Sequence, residues 1–69
     1  MILEWEEGIV ISSRIENGAA VISANREGLL SLAKHLEALA KENPGSHIHY
    51  DEYNSLEEGS FELIIEKVE

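Results

Sequence analysis

His47, His49 and Asp51 alternate with Ile48 and Tyr50. On a strand the three polar side chains would project from one face, at a spacing that could converge on a metal ion. A hydrolytic centre built on such an HxHxD run needs further ligands from distant parts of a longer chain, and the only other imidazole here is His35. Context therefore favours an ordinary polar strand face open to a partner, and neither a metal nor any other cofactor is expected. His35 falls beside Leu32 and Leu36 in a helical stretch, which predicts a partly exposed packing residue rather than a ligand or a base.

The carboxylates Asp51, Glu52, Glu57 and Glu58 are the next candidates. General acid/base work by a carboxylate pair requires a pocket that drives the two pKa values apart. A short chain offers little concavity, so a solvated acidic loop is the expected outcome. No Ser lies in a nucleophile-elbow pattern, and the glycines are too scattered to cradle a phosphate. With no Cys there is no thiolate nucleophile and no disulfide. An enzyme is not expected. The aromatics able to anchor an interface are Trp5, Tyr50 and Tyr53; Trp5 reads as core, whereas Tyr53 sits in the polar stretch and should be exposed.

The elements that must position these residues are short. Ile9–Ile15 and Ala19–Ser23 read as an antiparallel hairpin, because Asn17-Gly18 tolerates the positive φ of a tight turn. Ile2 to Glu6 is a further candidate strand. From Arg26 to Glu42 the period becomes helical, with Leu29, Leu32, Ala33, Leu36, Leu39 and Ala40 forming the apolar stripe and Leu30 lying off it. Asn25 or Ser23 is the candidate N-cap, and Asn43-Pro44-Gly45 the stop. Alternation returns with Ile48 and Tyr50 on one strand face. In the last segment Phe61, Leu63 and Ile65 share one face, while Ile64 and Val68 share the other with Glu62 and Glu66. These elements predict one α+β domain over residues 1–69: a small antiparallel sheet of four to five strands, ordered β-β-(β)-α-β-β, with one helix on one face.

Fourteen acidic residues face five Lys and Arg, a formal net charge of −9. Such a chain repels phosphate backbones and anionic lipid alike, so neither nucleic acid nor membrane is an expected partner, and a basic protein surface is. The chain opens with no basic-then-apolar signal, and no apolar run approaches the ~20 residues that span a bilayer, so residence in the cytoplasm is expected. A domain of this size buries only about 60% of the surface its unfolded chain exposes, which leaves room for self-association as a homodimer.

Three blocks in order, Ser23 to Ala33, His47 to Glu52 and Leu56 to Lys67, resemble the bacterial immunity protein thirty-two family, over roughly residues 20 to 68. The likeness departs at Tyr50, where the family pattern carries Leu. Members of that family accompany toxins of polymorphic toxin systems. The resemblance implies a compact cytoplasmic α+β protein that binds a cognate toxin domain and blocks it, and it assigns no catalytic or binding residue. Charge adds one expectation, that the toxin is a basic nuclease domain whose phosphate-binding cleft the carboxylates imitate. The expected partner-binding residues are His49, Asp51, Glu52, Tyr53, Glu57 and Glu58. Two other classes stay open: a structural module acting as a homodimer through an edge strand, and a metal-dependent hydrolase using the HxHxD strand.

Overall fold

In the computed structural model, which describes residues 1–69, strands Ile11–Glu16 (β1) and Ala19–Ala24 (β2) pair antiparallel from Glu16↔Ala19 to Ile11↔Ala24. Asn17 and Gly18 close the hairpin at φ 52° and 81°. Positive φ at both central positions gives a turn whose twist matches that of the strands it joins. Residues 2–6 do not form the further candidate strand. Side chains of the helix take up their backbone instead: the Glu6 N–H donates to Ser31 Oγ at 2.8 Å, and the Glu4 carbonyl lies 2.7 Å from His35 Nε2.

The helix spans Arg26–Ala40 (α1) and starts on Asn25, whose side-chain oxygen accepts the Gly28 N–H at 2.8 Å. One orphan donor of the first turn is thereby satisfied. Its buried face consists of Gly28, Ser31, Leu32, His35 and Leu39, rotated from the leucine stripe expected. Leu29 and Leu36 remain 56% and 46% exposed. The rotation follows from Gly28. A Cβ there would lie 2.8 Å from Ile11 Cγ1 and 2.9 Å from the Val10 carbonyl oxygen. Only a glycine lets the first turn descend this far onto the start of β1.

Strands His47–Tyr50 (β3) and Leu63–Glu66 (β4) form the second antiparallel pair, with Ile48 opposite Ile65 and Tyr50 opposite Leu63. The fold is α+β, with one helix and four antiparallel strands in the expected order. The strands lie in two ladders rather than one continuous sheet. What joins them is the stretch before β4, which runs along the free edge of β1. The Glu57 N–H donates to the Ile11 carbonyl at 2.8 Å, the Ser13 N–H to Ser60 Oγ at 3.1 Å, and the Ser13 hydroxyl to the Phe61 carbonyl. A turn closed by the Ser60 N–H on the Glu57 carbonyl, with Gly59 at φ 89°, breaks the period there and interrupts the ladder. The same detour leaves Phe61 59% exposed, although its spacing from Leu63 and Ile65 predicts an inward side chain.

Helix and ladders meet in one apolar cluster of Ile11, Leu32, Leu39, Ile48, Tyr50 and Leu56, edged by Leu3, Ile9, Ala24, Leu63 and Ile65. No helix is long and apolar enough to cross a membrane.

Candidate functional site

On β3 the alternation works as expected, with Ile48 and Tyr50 buried and His47 and His49 exposed on the opposite face. The third member of the run does not join them. Asp51 ends the strand and turns its carboxylate into the following loop, where Oδ1 accepts the N–H groups of Tyr53 and Asn54, each at 2.9 Å. His49 Nε2 lies 3.3 Å from the Glu62 carboxylate across the ladder. No group of three His, Asp or Glu side chains gathers in a way that could hold a metal. The convergence that the spacing permits is thus lost where the chain leaves the strand.

The loop beginning at Asp51 is densely bonded for an exposed segment. Asn54 Oδ1 accepts the Asp51 N–H at 3.1 Å, and its amide donates to the His49 carbonyl at 2.9 Å. The Asp51 carbonyl receives the N–H groups of Ser55 and Leu56, and the Gly59 N–H donates to Glu52 Oε2 at 2.7 Å. Leu56 anchors the loop in the core. Asp and Asn side chains that bond to backbone two or three residues on replace the ladder a loop lacks. This frame holds Tyr53 out into solvent, 97% exposed. Together with Glu52 and Glu58 it lines a shallow, open depression. Five of the six expected partner-binding residues, Asp51, Glu52, Tyr53, Glu57 and Glu58, belong to this one loop, and His49 lies on the strand that leads into it.

A second cluster lies inside the protein. His35 is not the partly exposed residue expected but 1% exposed, because the N-terminal segment closes over it. Its Nδ1 lies 2.8 Å from the Tyr50 hydroxyl. Trp5 covers the pair, its ring meeting that of His35 edge-on at 4.4 Å, and is itself 36% exposed rather than core. Since the Glu4 carbonyl can only accept, Nε2 carries the proton, and in the neutral imidazole Nδ1 then accepts from the phenol. Burial pushes the Tyr50 phenol up to about 12. The sequence does carry a signal for this cluster: Gly28, Ser31, Leu32, His35 and Leu39 fall at helical steps. The larger leucines beside them mask it.

Near the amino end, Lys34 Nζ and Glu6 Oε2 form an ion pair at 2.9 Å. The shared hydrogen bond and opposite charge hold Glu6 below the usual carboxylate range and raise Lys34 above the usual amine range. A shallow hollow beside it, lined by Glu4, Lys34, Glu37, Ala38 and Lys41, mixes both signs of charge and has little apolar wall.

A family model described as Immunity protein 32 matches residues 20–68, from within β2 through α1, β3, the acidic loop and β4. No curated protein and no solved structure matches the chain.

Proposed function

The chain belongs to the immunity protein 32 family, and from that membership we propose that it binds a cognate bacterial toxin domain and neutralises it by occlusion. The producing cell's cytoplasm is where that protection acts. Covering an active site demands a complementary surface and no chemistry of its own, so the chain works as one binding unit and not as an enzyme.

The observation that carries the choice of surface is Tyr53, 97% exposed on a hydrogen-bonded loop and flanked by Glu52 and Glu58. A rigid aromatic ring brings a large contact area at low entropic cost. Its acidic surround steers a basic partner into place. The net charge of −9 fits a toxin that cleaves nucleic acid, whose cationic cleft the carboxylates would occupy in place of phosphates. In this reading Glu52, Tyr53, Glu57, Glu58 and His49 touch the toxin, and Asp51 shapes the loop that carries them.

The test has two stages. Each toxin domain encoded beside the gene is expressed with and without this protein; survival only in its presence is expected, and equal killing in every pair would sink the reading. For the toxin so identified, the double reversal Glu57→Lys and Glu58→Lys should slow association about tenfold and flatten its salt dependence. Unchanged association rates would remove the loop from the interface.

A further inference from the structure

Strand β2, Ala19-Ala20-Val21-Ile22-Ser23-Ala24, is an edge that nothing in the chain protects. The residues flanking a two-residue turn exchange both ladder bonds, so Glu16↔Ala19 sets the phase, and Arg14↔Val21 and Ser12↔Ser23 also bond across the hairpin. The backbone groups of Ala20 and Ile22 then point away from β1. The same phase turns Ile11 and Ser13 outward on the far side of β1, and there the chain does supply partners, in the segment from Glu57 to Phe61. Ala20 and Ile22 receive no bond from any backbone group outside the hairpin. Natural edge strands are usually blunted by Lys, Pro, a bulge or a covering segment. This one carries no charge, no Pro and no bulge.

The side chains repeat the pattern. Ile15, Ala20 and Ile22 share the face of Ile11 and Ser13 by register, but they lie toward the turn, where the helix does not reach. Ile15 is 59% and Ile22 is 43% exposed. The only charges between Ile11 and Ala24 are Arg14 and Glu16, which pair with each other at 2.7 Å. The hairpin is neutral within a chain of net charge −9, whereas residues 51–69 hold half of the 14 carboxylates and a single cation, Lys67.

We propose that β2 is the seam of a homodimer, in which two copies pair their β2 strands antiparallel across a two-fold axis at Val21. Ala20 then lies opposite Ile22 of the second copy, each pair exchanging both backbone bonds and setting a small side chain against a large one. Local charge selects the occupant. A cationic partner gains nothing at a neutral apolar edge and is drawn to the acidic loop, while two copies of a −9 chain can approach closely only where that charge is absent. The dimer extends each two-stranded ladder and sets Ile22, which a small chain on its own leaves 43% exposed, beside Ala20 of the second copy. It does not depend on the toxin reading.

The experiment is sedimentation equilibrium of the full chain over a range of concentration and salt, with amide hydrogen exchange on the same samples. The expected result is a monomer–dimer equilibrium that tightens as salt rises, because salt screens the repulsion between the acidic bodies and the seam has no charge to lose. The Ala20 and Ile22 amides should be protected at high concentration and become at least tenfold less protected on dilution. Ile22→Lys should shift the equilibrium to monomer. Ala20→Pro, which removes only an outward donor, should do the same with the helix signal in circular dichroism retained. A monomer at every concentration, or a dimer in which these two amides stay unprotected, overturns the proposal. So does a dimer that both variants leave intact.

Discussion

The Nδ1 atom of His35 accepts the Tyr50 hydroxyl at 2.8 Å inside the core, and this single bond ties the middle of α1 to the end of β3. With the Glu4 carbonyl on Nε2 the imidazole has both nitrogens engaged, and no buried side-chain polar atom of the protein lacks a partner. Tyr50→Phe preserves the ring and its packing but leaves Nδ1 buried without a donor. The cost of such an orphan is about 1–3 kcal/mol. Urea unfolding of the two proteins should show that loss; equal midpoints would mean that the bond adds nothing beyond the packing of the rings.

The same phenol sets an alkaline limit. Burial raises Tyr50 from its ordinary value of 10.0 to about 12, so the folded state favours the neutral form. Its contribution is complete below the unfolded value, about 10, and is lost as pH rises through the folded one. Stability should therefore decline between about pH 10 and about pH 12. Lys34, raised by Glu6, loses its charge in a neighbouring window and contributes a decline of the same sign. Comparison with Tyr50→Phe separates the two, since the variant keeps only the lysine part. Parallel curves would show that the phenol does not ionise during unfolding.

How much of this was legible beforehand depends on whether one element or two decide a residue's place. Asn17-Gly18, the cap at Asn25 and the alternation of Ile48 and Tyr50 are local, and each is found where spacing puts it. The buried face of α1 is set by what the helix meets. Gly28 and Ser31 mark it because the backbones of β1 and the N-terminal segment approach there, and an apolar count overlooks small residues. Asp51 shows the same limit at the candidate site. Two-residue spacing holds only while the chain stays extended, and the Asx bonds that end the strand turn this carboxylate away from the histidines.

Gly28→Ala tests the close approach directly. Alanine would improve intrinsic helix propensity by about 1 kcal/mol. The new methyl would lie 2.9 Å from the Val10 carbonyl oxygen and 2.8 Å from Ile11 Cγ1. The isoleucine tip can turn, but the carbonyl is fixed because it accepts the Asn25 N–H at 3.0 Å. Overpacking of this kind costs about 1–3 kcal/mol, so a net loss in thermal stability is expected. A stabilised variant would show that α1 can lift off β1 without penalty.

Asn25 does more than cap the helix. Its Oδ1 accepts the N–H groups of Gly28 and Val10, and its Nδ2 donates to the Gly8 carbonyl at 2.9 Å, so one side chain fastens the helix start to the turn before β1. Asn25→Asp keeps the acceptor and loses the donor, whereas Asn25→Ala loses all three bonds. The alanine variant should cost about 2 kcal/mol, the upper end for a lost cap, and the aspartate variant clearly less. Equal losses from both would assign the effect to Gly8 alone.

Presentation of Tyr53 and contact by Tyr53 are separable through Asp51. Tyr53→Ala removes a side chain that is 97% exposed, so folding stability should stay within about 0.5 kcal/mol of the parent while toxin affinity falls at least tenfold. Asp51→Ala removes the acceptor of the Tyr53 and Asn54 amides and loosens a loop whose far side is Leu56 in the core. Stability should drop by about 1–2 kcal/mol, and affinity should fall with it, because the freed loop must be ordered on binding. Calorimetry on both variants reads the distinction: a larger unfavourable entropy is expected for Asp51→Ala than for Tyr53→Ala. If the aspartate variant bound with unaltered affinity, the bonded frame of the loop would serve folding alone.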